Sequence, residues 1–240
     1  ENALEKKIKT KKLLFNVPVV IMAGGLGTRL DPITKIIPKP LIPLSESTII
    51  EEIIQKFLNV GCSTFYATVN YKSKIMKAYF DEVEKSYELI FIDESKPQGT
   101  AGSLHKLKGE IKTPFFVTNC DVIINTDYRT LYEFHKKNKY DLTLVAAAKT
   151  YTVPYGTCEL NEDGDLSHIN EKPSYEFLTN TGLYILNPDL LKLIPKNKFF
   201  HITELIEKVK NKGKNVGVFP VSEDSWIDTG QLDDYKNYIS

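Results

Sequence analysis

The sequence has little with which to staple a fold covalently or hold a transition metal. Its three cysteines, Cys62, Cys120 and Cys158, form no Cys-x-x-Cys pair, and its four histidines, His105, His135, His168 and His201, are widely spaced. That pattern excludes a disulfide framework and a zinc site of ordinary spacing. It also lacks net charge, because 31 basic residues balance 31 acidic ones. A chain that gripped nucleic acid through its phosphates would be clearly basic, so nucleic acid is not an expected partner. No apolar run approaches the ~18 residues of a membrane span, so no membrane partner is expected either. Lys11 and Lys12 followed by residues 13–23 imitate a signal peptide, but Asn16 and Pro18 interrupt the stretch. Ala23-Gly24-Gly25 then carries it into a loop, so the segment reads as a strand, and the reducing cytoplasm is the expected compartment. There is no internal repeat and no low-complexity tract.

What is present suits a globular protein. Of the 240 residues, 42% are hydrophobic and 26% are charged, enough to bury a sizeable core. Residues 1–16 are polar and lysine-rich and read as a linker from a preceding domain; residues 17–240 read as the folded domain. Residues 17–22 are continuously apolar and β-branched, as in a strand covered on both faces. Helical spacing follows over 47–60, with Ser47 placed to cap it and Gly61 to end it. Strands are predicted at 64–69, 89–92, 115–118 and 142–148, with helices over 73–86 and 128–138. Beyond residue 151 a hairpin is predicted from 156–160 and 166–169, then an apolar strand at 183–186. A helix over 202–211, a strand at 216–221 and a helix over 231–239 complete the pattern. The alternation predicts an α/β fold with a mostly parallel sheet, whose ligands bind at the carboxyl ends of strands.

The first strand runs into Gly24, Gly25 and Gly27, then Thr28 and Arg29, and Lys39 follows on a segment stiffened by Pro38, Pro40 and Pro43. Glycines let main-chain N–H groups approach a phosphate, and Arg29 and Lys39 supply cations for its oxygens. It is not a P-loop, which needs Gly-x-x-x-x-Gly-Lys-Ser/Thr. Nor is it a dinucleotide fingerprint, because Leu30 stands where the third glycine belongs and the prolines forbid a long helix.

Gly-Gly-x-Gly-Thr-Arg-Leu-x-Pro-x-Thr followed by Pro-Lys-Pro-Leu-x-Pro resembles the signature of the nucleoside-triphosphate: sugar-1-phosphate nucleotidyltransferases. The resemblance continues in order through Gly99-Thr-Ala-Gly102, Asn119-Cys-Asp121, Tyr155-Gly156, Glu171-Lys-Pro173, Asn180-x-Gly182-x-Tyr184 and Trp226-x-Asp-x-Gly230. Within that family the Gly-Thr-Ala-Gly segment is similar to the mannose-1-phosphate guanylyltransferase branch. The compact length and lysine-rich start resemble the transferase domain of bacterial proteins that carry it behind a pair of CBS domains. Some of those are glucosamine-1-phosphate guanylyltransferases of legionaminic acid synthesis.

The resemblance implies a Rossmann-like nucleotidyltransferase fold with a small β-rich sugar-binding part. It implies magnesium-dependent transfer of a nucleotidyl group, GMP from GTP, to a glucosamine- or mannose-type sugar 1-phosphate. The partners it implies are these two small molecules, an upstream regulatory domain and a second copy of the chain. Asp121, at the end of an apolar strand, and Asp228 match the family's metal-binding aspartates. Magnesium favours such carboxylate oxygens. Asp31 and Asp127 read as loop or capping residues, and Cys120 as a small buried one. Arg29, Lys39, Asp121, Lys172 and Asp228 are the expected catalytic set. Ala23, Gly24, Gly25, Gly27, Thr28, Arg29, Glu94, Gln98, Gly99 and Thr100 are expected at the nucleotide. One carboxylate can accept both guanine N1–H and N2–H, which singles out Glu94. Tyr155, Gly156, Glu171, Lys172 and Asn180 are expected at the sugar, with Thr179 and Thr181 as a polar floor. Two other readings are a cytidylyl- or uridylyltransferase on a sugar or choline phosphate, the latter caged by Tyr155, Tyr175 and Tyr184, and a non-catalytic nucleotide-sugar sensor.

Overall fold

The computed structural model of the protein describes residues 15–230. The predicted closing helix and most of the predicted linker lie outside the described residues. Phe15, left with the linker by the sequence reading, is buried and packs edge-on against Tyr132, their ring centroids 5.4 Å apart.

Strand β1 (Val19–Met22) is buried along its whole length. Val19 and Ile21 enter one hydrophobic cluster and Val20 and Met22 another, so the apolar run divides between the two faces of a sheet. Each such side chain contributes about 1.5–3 kcal/mol of burial free energy. Residues 19–22 of the signal-like segment therefore form an interior strand of the main sheet. Two-residue strands β2 (Pro43–Leu44) and β3 (Ser47–Thr48) pair ahead of α1 (Ile49–Val60). The cap of α1 is Thr48, not Ser47: its hydroxyl accepts from Glu51 N–H while the Glu51 carboxylate accepts from Thr48 N–H, closing a capping box. Gly61 ends the helix at φ 104°, as expected.

Strands β4 (Thr64–Val69) and β5 (Glu88–Asp93) flank α2 (Ser73–Glu82). Then come β6 (Phe115–Asn119), a short β7 (Val122–Ile124), and α3 (Tyr128–Lys137). Asp127 caps α3, accepting from Arg129 N–H at 2.9 Å, and Asp31 accepts from the Thr34 hydroxyl at 2.6 Å. Strand β8 (Leu142–Thr152) is longer than predicted. So is its partner β11 (Ser174–Leu186), of which the sequence revealed only the buried end. Between them stands the hairpin of β9 (Thr157–Leu160) and β10 (Leu166–Asn170). Helix α4 (Ile202–Asn211), β12 (Val216–Val221) and β13 (Trp226–Asp228) follow.

The main sheet has the order β12-β8-β11-β6-β1-β4-β5. All neighbours are parallel except β11, which runs against both β6 and β8. Helices α1, α2 and α3 cover one face, and α4 covers the other. The chain leaves β1 toward β4 on one side and returns to β6 on the other. The crevice at the carboxyl ends of β1 and β6 is thus the switch point where ligands of such sheets bind.

Candidate active site

Two adjoining cavities open at that crevice. The first, about 380 Å³, is lined by Gly24, Gly25, Gly27, Thr28, Arg29, Lys39, Glu94, Gln98, Gly99, Thr100 and Asp121, among others. The second, about 240 Å³, is lined by Asn180, Thr181, Tyr184, Trp226 and Asp228 and shares Arg29, Asn119 and Asp121 with the first.

The glycine loop is fixed at its start. Buried Ala23 donates its N–H to the Thr68 carbonyl at 3.1 Å and hydroxyl at 3.2 Å. Gly27 adopts φ 71°, and a Cβ there would come within 2.8 Å of Thr34 and 2.9 Å of Lys39, so only glycine fits. The loop then turns through a short 3₁₀ segment, Thr28–Leu30, with Leu30 fully buried as its anchor. Leu30 therefore has a packing role where a dinucleotide motif would place glycine. Gly25, Thr28 and Arg29 are left exposed at the mouth.

The acidic side chains come from far apart in sequence. Asp121 follows β6. Asp228 is placed opposite Val122 by the antiparallel pairing of β7 with β13. Thr229 closes the clasp, giving its N–H and hydroxyl to the Asp121 carbonyl at 2.9 and 3.0 Å. One guanidinium spans both carboxylates: Arg29 Nη2 is 3.2 Å from Asp121 Oδ2 and Nη1 is 3.7 Å from Asp228 Oδ2. Lys39 Nζ also donates to Asp121 Oδ2, and its side chain is only 8% exposed against 53% for Arg29. A Cβ on Gly230 would sit 2.5 Å from Asp121 Oδ2 and 2.9 Å from Asp228 Oδ1, so the two carboxylates crowd one space. Two carboxylates with room for water and phosphate oxygens are the donor set magnesium accepts, so these residues fit such an ion.

The first cavity's inner wall is made by the segment after β5. Glu94 is buried, accepts from Gln98 N–H at 3.3 Å, and lies 3.0 Å from where a Cβ of Gly24 would be. Gln98 is buried with no hydrogen-bond partner for its Oε1. The loop is stitched to Phe200, whose carbonyl accepts from Ala101 N–H at 3.0 Å and Gly102 N–H at 3.1 Å. Thr100 has a second duty, since its hydroxyl accepts from Ile202 N–H at 3.0 Å at the start of α4. Cys120 borders the cavity, but burial pushes its thiol up to about 12, so it is no nucleophile.

Of the residues expected at the sugar, Asn180 lines the second cavity. Its amide donates to Tyr184 Oη at 2.8 Å, and burial pushes that phenol up to about 12, keeping it neutral. Thr181 lines the cavity too, but its hydroxyl is spent on the Val145 carbonyl at 2.9 Å. Thr179, Tyr155, Gly156, Glu171 and Lys172 line neither cavity. The last four sit where the hairpin joins the long strands, with Glu171 beside Gly156 and Lys172 in a left-handed conformation, φ 47°. Tyr175 is also outside, so the three tyrosines do not gather into a cage. The sequence reading gave no role to Thr68, Asn119, Phe199 or Trp226, all of which line the cavities. Thr68 and Asn119 end parallel strands and were findable on that ground, whereas Phe199 comes from an irregular segment with no local signal.

The profile of the family described as Nucleotidyl transferase matches residues 18–239. The chain is 34% identical over 226 residues to mannose-1-phosphate guanyltransferase 2 of Candida glabrata, covering 90% of this chain and 62% of that protein. It is 33% identical over 226 residues to the mannose-1-phosphate guanyltransferase of Aspergillus fumigatus, covering 90% of this chain and 61% of the other. The chain thus spans about three fifths of these relatives' length. Its fold is similar to the crystal structure of HddC from Yersinia pseudotuberculosis, with a TM-score of 0.72, 26% identity, and 93% and 98% of the two chains covered.

Proposed function

Because this chain belongs to the nucleotidyl transferase family, we propose that it joins a nucleoside triphosphate, GTP by preference, to a sugar 1-phosphate and releases pyrophosphate. The observation that carries the reading is the convergence of Asp121 and Asp228 on Arg29 at the mouth of the glycine loop. A phosphate oxygen of the sugar phosphate attacks the α-phosphorus, the bond to the bridging oxygen breaks, and pyrophosphate leaves. The nucleophile is already an anion and needs no base, in keeping with a site built without His or a reactive Cys. The difficulty is charge repulsion between two phosphorylated substrates. Arg29 and Lys39 offset it with positive charge, and the N–H groups of the glycine loop orient the phosphates. Asp121 and Asp228 would hold a magnesium ion, which supplies Lewis-acid charge neutralisation when bound.

Guanine preference rests on Glu94, whose carboxylate has one oxygen free of Gln98 N–H, and on the unpartnered Gln98 Oε1. Together they offer acceptors for guanine N1–H and N2–H, and a buried acceptor left unmet discriminates against the wrong base. The two relatives are both mannose-1-phosphate guanyltransferases, in line with this choice. Asn180 and Tyr184 supply donor and acceptor groups to sugar hydroxyls. Lys172 and Glu171 are assigned to the sugar's phosphate and ring by their motif. Mannose and glucosamine are the sugar types proposed.

The test is a matrix of GTP, UTP, dTTP, CTP and ATP against mannose-, glucose-, glucosamine- and N-acetylglucosamine-1-phosphate with magnesium, read by mass spectrometry of the product. A GDP-sugar is expected. Product with another base would remove Glu94 from its role, and no product with any pair would favour the sensor reading.

A further inference from the structure

Two neighbouring phenylalanines in the irregular segment before α4 go opposite ways. Phe200 is 3% exposed and belongs to the core on the α4 side of the sheet, whereas Phe199 is 60% exposed and belongs to neither core. The segment is tightly held all the same. Phe200 N–H donates to the Gln98 carbonyl at 3.0 Å, and the Phe200 carbonyl accepts from Ala101 and Gly102 N–H. A Cβ on Gly99 would come within 2.7 Å of the Phe200 carbonyl oxygen, and one on Gly102 within 2.5 Å of the Lys198 carbonyl oxygen. Two glycines are therefore needed for the main chain of 198–200 to lie against the 98–102 loop. The Phe199 ring so placed lines the first cavity. It meets the His201 ring edge-on, centroids 4.7 Å apart, and His201 Nδ1 is in turn 3.4 Å from Thr100 Oγ1.

On the nucleotide reading proposed above, we infer that Phe199 is the clamp for the nucleoside: its ring covers a face of the base while Glu94 and Gln98 meet the edge. Among the described residues that line the first cavity, Phe199 carries the one aromatic ring. A base laid on it takes exposed apolar surface out of water and gains a stacking partner. The ring sits on the same stitched unit as Gln98, so face contact and edge contact are held in one frame. A phenyl ring offers no hydrogen bond, and every base has a π-face, so this contact grips without choosing. Choice belongs to Glu94 and Gln98, and affinity for the nucleoside to Phe199.

The test titrates the full chain by calorimetry, with magnesium and without sugar phosphate. Phe199→Ala should raise the Kd of GTP about 10-fold. ITP, which lacks only the 2-amino group of guanine, should weaken by the same factor, so the ratio of the two constants keeps its wild-type value. Glu94→Gln should change that ratio instead. Inorganic triphosphate, with no base to cover, should compete equally well in the wild type and Phe199→Ala. Phe199→Trp should bind as the wild type does, and GTP should quench its fluorescence beyond the change that Trp226 alone gives in the wild type. The melting temperature of each variant should stay within about 2 °C, because the ring is exposed. A Kd for GTP in Phe199→Ala within about 2-fold of wild type overturns the inference. Equal weakening of inorganic triphosphate, or a collapsed ratio of GTP to ITP, overturns it too, since the ring would then act by bracing the loop. Preference for another base with the Phe199 effect intact removes the guanine reading and leaves the clamp standing. A wild type that binds no nucleoside triphosphate removes both.

Discussion

The two cavities meet at Arg29, Asn119 and Asp121 but are built differently. The first is walled by loops stitched to the sheet and to one another: Ala23 to Thr68, Gln98 and Gly102 to Phe200, Lys39 to Asp121. Its chemistry is fixed by main-chain geometry and buried charge. The second opens toward β11, and four of the five residues expected there lie outside it, on the arm formed by the hairpin of β9 and β10 and the ends of β8 and β11. On the proposed function the first cavity takes the triphosphate, which is the same in every nucleoside triphosphate, so loops held by hydrogen bonds suit it. On the proposed function the sugar varies, and the residues expected to meet it sit on a largely exposed arm.

The largest expected effect falls where the cavities meet. Arg29→Ala should lower turnover by about 10²–10³, because it removes the cation shared by both carboxylates. Its side chain is half exposed, so the melting temperature should stay within about 3 °C. Steady-state kinetics beside a thermal melt check both, and turnover near wild type would break the picture of a shared centre. Next, Glu94→Gln should cut kcat/KM for GTP by about 10–100-fold and narrow its advantage over UTP, leaving the KM of the sugar phosphate unchanged. Asn180→Ala should do the reverse, raising the KM of the sugar phosphate about 5–10-fold with little change for the nucleotide. If both variants moved both constants, the two cavities would be one.

The smallest effect lies away from both. Buried His135 contacts Thr143 Oγ1 at 2.9 Å and Asn187 Oδ1 at 3.2 Å, and burial lowers its pKa below the ordinary 6.5. Asp141 opposes that shift, and burial outweighs it. The unfolded chain therefore takes up a proton more readily than the folded one. The stability this residue contributes is complete above pH 6.5 and declines as pH falls below it. Urea midpoints at pH 7.5 and 5.5 should separate more in the wild type than in His135→Asn.

The fold was legible where burial imposes a period. Strands at 64–69 and 216–221 and the helix over 202–211 stand where the pattern puts them. The outer half of β11 was not, because Tyr175, Phe177 and Leu178 are exposed and give no inside–outside alternation. Strands β7 and β13 are three residues each, too short for any period to show. Of the site, the glycine loop, Glu94 and both aspartates are local motifs and could be read directly. That Lys39 would be buried against Asp121 could not, because it depends on a contact 82 positions apart. Phe199 was missed because its segment has no regular structure and so no period to read.

The clasp between Thr229 and Asp121 joins positions separated by 108 residues. During synthesis the central strands and the glycine loop leave the ribosome long before β13 does. Until then the crevice has one carboxylate instead of two, and Arg29 has a single acidic partner there. The emerging chain thereby holds an unfinished crevice, which gains its second acidic side chain only when β13 docks against β7.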